Sequence, residues 1–323
     1  MQACLRSVFV VAALLSGLTG QAAEPGATSV LKWRDGKKAV FLLAFDDSCQ
    51  SHVKHAIPEL AKRGMVGTFY INPGNGPFQS LRAKWEGELP RNPAVVYGNH
   101  TFKHTGATNT AHLDQELARC HEVIRAAYPE RKAPWLASFG RPGGVPWTIS
   151  EDEKKAALAK YHLVERPPFY GYPIHIKTTE ALCKLVDAAL AKGDMGHHDF
   201  HGVGGDWLVT PLDAFTALLD KLDACRAEVW VTDHITYHKY LTERSSAQVS
   251  VVMAGPAEIR LQLATAADPA LYDAPLTLET QVPSGWAACA VAQGRSRTEC
   301  AVADGKVRYA ALPGADDIVI TRR

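Results

Sequence analysis

The chain has 323 residues, enough for one large domain and a smaller one, each with its own core. It is 46% hydrophobic and 21% charged, with a formal net charge of +1. That balance removes any electrostatic case for nucleic acid or an anionic membrane as partner and suits an uncharged or mixed-charge one, such as a glycan.

The first segment reads as a secretory signal. Arg6 supplies its positive end, Val8 to Leu18 is an apolar run too short to span a bilayer, and Gly20-Gln21-Ala22 is a small-x-small cleavage site. Residues 1–22 are therefore expected to be removed. The mature protein would be exported, periplasmic or secreted, with no stable membrane insertion after cleavage. Seven cysteines less Cys4 leave six, an even number that permits disulfides outside the cytoplasm. Cys289 and Cys300 flank a hairpin and are the first pair expected. Cys49, Cys120, Cys183 and Cys225 lie in or beside apolar segments and read equally well as core thiols.

From Lys38 to about Arg244, short apolar runs alternate with helical patterns. Strands are expected at Ala39 to Phe45, Val66 to Ile71, Val95 to Tyr97, Trp135 to Phe139, His162 to Glu165, Asp194 to Phe200 and Glu228 to Val231. Between them, Thr110 to Tyr128 and Thr179 to Lys192 have a 3.6-residue period. Ser150 and Glu153 form a capping box before Lys154, and Thr210 with Pro211 opens a helix to Cys225. Alternating strands and helices imply a parallel sheet, and seven units suggest a distorted seven-stranded (β/α) barrel. After a boundary near Ser245 to Gln248 the pattern becomes all-β. Runs at Val249 to Met253, Glu258 to Ala264, Leu276 to Gln281, Ala287 to Ala292 and Val307 to Ala311 suggest a small module of six or seven strands. The expected organisation is thus a catalytic domain over 23–245 and an accessory domain over 246–323. Trp286, in that module, reads more readily as a core residue than as a sugar platform. No signal for an oligomeric state is present.

Two motifs carry chemistry. Asp46-Asp47 ends the first strand, where parallel α/β architectures place catalytic groups. Adjacent carboxylates there are costly unless a cation or a shared proton relieves them. Gly98-Asn99-His100-Thr101-Phe102-Lys103-His104 follows the third strand. If it turns helically, both imidazoles reach one ion, and one carboxylate with two histidines leaves positions open for water and substrate. His234 and His238 repeat the spacing but read as a chance occurrence on a helix.

The Ala44-Phe45-Asp46-Asp47-Ser48 and Gly98 to His104 segments resemble the first two motifs of the polysaccharide deacetylase family, the carbohydrate esterases with a NodB-homology domain. Ile57 to Tyr70 resembles that family's second βα unit, and Phe139-Gly140-Arg141-Pro142-Gly143-Gly144 its third motif. The resemblance implies that Asp47, His100 and His104 bind a divalent metal, usually zinc. Asp46 would be the general base, with Arg141 holding it in place. A water activated at the metal would attack the acetyl carbonyl of a glycan. The family takes its general acid from a histidine at the end of a late strand. Here that is His201, preferred over His198, and strand alternation puts His197 and Asp199 on the face of His201.

The chain departs from the pattern at Gly143 and Gly144, where the family has a second proline and an aromatic. It also lacks the aspartate-tryptophan motif that usually precedes the acid. Glu165-Arg166-Pro167 lies nearest that place, with no role assigned. Asn72 to Arg91, with Phe78 and Trp85, is either a groove-lining loop or plain packing. The expected activity is deacetylation of an extracytoplasmic polysaccharide or oligosaccharide, N-acetyl favoured over O-acetyl. The competing readings are a small amide hydrolase on the same barrel, which export disfavours, and a non-catalytic glycan-binding protein, which the retention of Asp46, Asp47, His100, His104 and Arg141 disfavours.

Overall fold

A computed structural model describes residues 24–167, 176–314 and 316–323. The signal segment, residues 1–22, lies outside them. Strand β1 (Thr28–Val30) precedes β2 (Ala39–Asp46), β3 (Gly67–Ile71), β4 (Val95–Asn99), β5 (Ala137–Phe139), β6 (Leu163–Glu165), β7 (Met195–Phe200) and β8 (Val229–Thr232). The seven strands β2 to β8 form one parallel sheet, ordered β6-β5-β4-β3-β2-β7 with β8 also on β2. β7 takes one edge of β2. The other is divided, β8 pairing with Ala39 to Leu42 and β3 with Ala44 to Asp46. The sheet wraps as a half-barrel, and among the described residues no pairing closes β6 onto β7.

All eight residues of β2 are buried, which is why it reads as a continuous apolar run. Its alternation assigns two cores. Phe41, Leu43 and Phe45 pack beneath the helices with Phe69, Phe200 and Phe215. Val40 and Leu42 face the other way, into a core with Trp33, Trp230 and Tyr240. Ala44 and Asp46 continue that second face, so the sequence period itself aims Asp46 into the concave side.

Helices Ile57–Lys62, Thr110–Ala127, Glu151–Lys160, Thr179–Lys192 and Leu212–Ala224 connect the strands. The Ser150–Glu153 capping box is formed. Thr210 does not cap its helix. Pro211 occupies that position, and the Thr210 hydroxyl donates instead to the Ile176 carbonyl at 3.3 Å. Phe78 and Trp85 sit in short helical turns, fully buried and stacked at 6.0 Å, so this connection packs against the core rather than lining a groove.

A further helix, His234–Ser246, leads into β9 (Gln248–Ala254), β10 (Glu258–Ala264), β11 (Leu276–Gln281), β12 (Ala288–Gln293), β13 (Ser296–Ala303), β14 (Lys306–Ala311) and β15 (Ile318–Arg322). These join β1 in an antiparallel sheet ordered β1-β11-β14-β13-β12-β15-β10-β9. Its apolar face shares the core of Val40, Leu42, Trp230 and Tyr240. Trp286 is buried there and donates to the Pro256 carbonyl at 3.1 Å, which leaves no platform. Cys289 and Cys300 stand opposite each other in register, but both thiols are free. The expected disulfide is not formed, and the Cys289 thiol lies 3.8 Å from the Cys300 carbonyl oxygen. No helix among the described residues is long and apolar enough to cross a membrane.

Candidate active site

The C-terminal ends of β2, β4, β6 and β7 converge on one buried polar cluster. Asp46 is the last residue of β2. Asp47 leaves the strand with φ 70 and Ser48 with φ 51, left-handed values that non-glycine residues seldom adopt. His100 follows β4, and its segment does not turn helically as expected. Thr101 at φ 63 and His104 at φ 57 fold it back on itself instead. Asn99 accepts from the Thr101 amide, Asn72 donates to the His100 carbonyl, and the Thr101 hydroxyl accepts from the His104 amide. Strained residues so braced mark a functional site.

The outcome brings Asp47, His100 and His104 within 4.8 Å of one another by their ligand atoms. Asp47 Oδ1 lies 3.5 Å from His100 Nε2 and 3.6 Å from His104 Nε2. His100 Nδ1 is 2.7 Å from the Gly140 carbonyl, which fixes its proton there and presents the Nε2 lone pair to the cluster. Burial lowers the His100 pKa to about 4 and shifts His104 in the same direction, so both rings are neutral, as a metal requires. Both Asp47 oxygens are buried and, among the described residues, have no hydrogen-bond partner, and burial, reinforced by Asp46, raises its pKa to about 7. A carboxylate in that state wants a cation. The donor set fits a divalent ion with nitrogen and oxygen ligands.

Asp46 has the opposite environment. Burial alone would raise its pKa, yet Arg166, with His100 and His201 nearby, holds it well below the ordinary carboxylate range. Arg166 meets both its oxygens, at 2.6 and 2.8 Å, and touches Asp199 Oδ1 at 3.3 Å. The guanidinium lies over the Tyr70 ring at 4.4 Å. Gly140 makes the room, since a Cβ there would lie 2.8 Å from Tyr70 and 3.1 Å from Arg166.

Arg141, expected to hold Asp46, does not reach it. Its side chain is 41% exposed, 3.5 Å from Glu151, and stacked over Trp147. The Gly140 backbone passes so close to Arg166 and Tyr70 that the position is already filled. Arg166, at the end of β6, is the residue that sequence reasoning missed. Its one signal was an arginine between a strand end and a proline, on the rim formed by the strands' C-terminal ends.

His201 follows β7, with Nε2 3.7 Å from Asp47 Oδ2. His198 faces the helix-side core, edge-on to Phe200 at 4.5 Å. Alternation thus places Asp199 on the concave side with Arg166, and His198 away from the cluster. His234 lies deeper, its Nδ1 2.7 Å from Ser138 Oγ, which in turn meets the Tyr70 hydroxyl. His238 is 3.2 Å from the Tyr272 hydroxyl, so neither faces an ion.

Residues 34–160 match the family described as polysaccharide deacetylase. This region belongs to that family. The deacetylase-family match includes Asp46, Asp47, His100, His104 and Arg141, whereas Arg166 and His201 lie beyond it. Among solved structures, a family 4 carbohydrate esterase from Streptomyces lividans is similar at 19% identity. The match covers 60% of this chain and 92% of that one with a TM-score of 0.43. A peptidoglycan deacetylase from Bacillus subtilis is similar at 14% identity, covering 60% and 87%, TM-score 0.42. So is a carbohydrate esterase family 4 pseudoenzyme from Bacillus anthracis, at 14%, 61% and 64%, TM-score 0.41. No curated protein matches the chain.

Proposed function

We propose that the protein is a metal-dependent hydrolase that removes acetyl groups from a polysaccharide or oligosaccharide outside the cytoplasm, N-acetyl in preference to O-acetyl. The observation that carries this reading is the contrast between neighbours: one buried carboxylate is locked ionised by a guanidinium, and the next is left unpaired between two neutral imidazoles. Two acids one residue apart are thereby given two jobs.

Asp47, His100 and His104 hold the divalent ion, zinc by their chemistry, which when bound polarises the acetyl carbonyl and acidifies water. Asp46 accepts the proton of the attacking water. Arg166 fixes its orientation and keeps it ionised at neutral pH. His201 Nε2 delivers a proton to the departing amine or alkoxide. Export follows from the signal-like residues 1–22.

Acetate release from a panel of acetylated glycans, with chelator and with zinc restored, tests the reading. Asp47→Ala should lose the metal, measured by elemental analysis. Asp46→Asn should keep it and lose turnover. Activity untouched by chelation would overturn the metal role, and metal loss in Asp46→Asn would exchange the two carboxylates.

A further inference from the structure

Among the described residues, the large exposed apolar side chains are Val251, Val252 and Met253 on β9, Leu312 just after β14, and Trp207. Trp207 is 50% exposed and stands in the parallel domain, its ring centroid 4.7 Å from that of His201 at an interplanar angle of 70°. It is not a loose loop tip. The Gly202 amide donates to the Trp207 carbonyl at 2.9 Å, and the Thr210 amide returns to Gly202 at 2.8 Å. Asp206, just before it, accepts from the Ser51 amide at 2.6 Å. The indole lies near the buried Cys49 thiol. A Cβ on Gly202 would collide with the Gly205 carbonyl, so the turn admits glycine alone there. The residues on either side, Asp206 at φ 62 and Leu208 at φ 48, both take left-handed backbone.

Holding an apolar ring half in water, between two strained residues, brings folding no gain. We infer that Trp207 is a stacking platform for the pyranose ring that bears the acetyl group; the inference rests on the deacetylase reading above. The atom that His201 protonates on departure is bonded directly to that sugar ring. The ring must therefore lie within a few ångströms of His201 Nε2, and the half-exposed indole of Trp207 stands beside that imidazole. A pyranose presents C–H groups on its faces and hydroxyls round its rim, which matches a flat, half-exposed indole. The two flanks pin the platform, so stacking orders little of the protein.

The test compares wild type, Trp207→Ala and Trp207→Phe on two substrates, the N-acetylglucosamine tetramer and an acyclic N-acetyl ethanolamine. Affinity for the fully deacetylated tetramer is measured by calorimetry. The alanine variant should lower the ratio of kcat/KM for tetramer over acyclic amide about tenfold, weaken tetramer binding by about the same factor, and be largely rescued by phenylalanine. An unchanged ratio with unchanged affinity overturns the platform while leaving deacetylation standing. Wild type that binds the tetramer through Trp207 but releases no acetate overturns the deacetylase reading and supports the platform. Wild type that neither binds nor deacetylates the tetramer overturns both.

Discussion

Replacing Arg166 separates the structure from what the third-motif arginine would lead one to expect. Arg166→Met leaves Asp46 buried with no counter-charge, one residue from Asp47 and across from Asp199. Breaking a buried pair in this way costs about 3–5 kcal/mol of stability. Arg166→Lys keeps the charge but loses the two-pronged grip. One charged hydrogen bond of about 1.5–3 kcal/mol then disappears, which is roughly a ten- to hundredfold fall in kcat if Asp46 is the base. Arg141→Ala removes a solvent-screened contact to Glu151 at 3.5 Å and should leave kcat within about threefold. The sign of the pH effect is also fixed. In wild type the depressed Asp46 pKa contributes stability above about pH 4 that is lost on acidification. In Arg166→Met burial raises that pKa, so the stability deficit should grow as pH rises from about 4 to 7. Urea unfolding of metal-free protein at both pH values, with acetate release at saturating substrate, reads all three variants. An inactive Arg141→Ala beside a fully active Arg166→Lys would refute the assignment.

Metal-free protein should lose stability as pH rises from about 4 to about 7 and then level off, because folding raises the Asp47 pKa to about 7. Zinc should reverse this, with a thermal shift that grows over the same interval as the ligand deprotonates; a shift equal at pH 5 and pH 8 would remove Asp47 from the ligand set. His201→Ala should reduce kcat by roughly 10²–10⁴ with metal content intact, whereas His198→Ala, which alters packing against Phe200, should chiefly lower the melting temperature. The reverse pattern would move the acid to His198.

Ala39–Asp46 was legible as an apolar run buried on both faces, and Gly67–Ile71 and Val229–Thr232 nearly so, whereas Met195–Phe200 carries two histidines and an aspartate and is only half buried. The helix His234–Ser246 showed only in the spacing of its two histidines, because its histidines, tyrosines and threonines blur the apolar period. β13, largely exposed and written Ser-Arg-Thr-Glu, has no apolar alternation over its first half. At the site, contiguous motifs were readable and long-range substitution was not. Asp46, Asp47, His100 and His104 lie within two short segments. Arg166 meets Asp46 across 120 positions, with nothing local to announce it. The histidine segment reached its geometry through two left-handed residues rather than a helical turn, a result that spacing alone does not distinguish.

Thr28–Val30 pairs with Leu278 to Thr280. The segment that opens the described chain is thus an edge of the sheet built by its last seventy-odd residues, and the parallel domain is strung between two parts of one clasp. This contact spans 252 positions, so its loop-closure entropy is recovered only after the intervening strands have condensed. A cut near residue 245 would release two incomplete objects. The parallel part would carry a stray strand and the bared Val40, Leu42 and Trp230, while the all-β part would have an unpaired β11 edge. The clasp makes the second sheet a late-locking brace for β2, the strand whose far end carries Asp46.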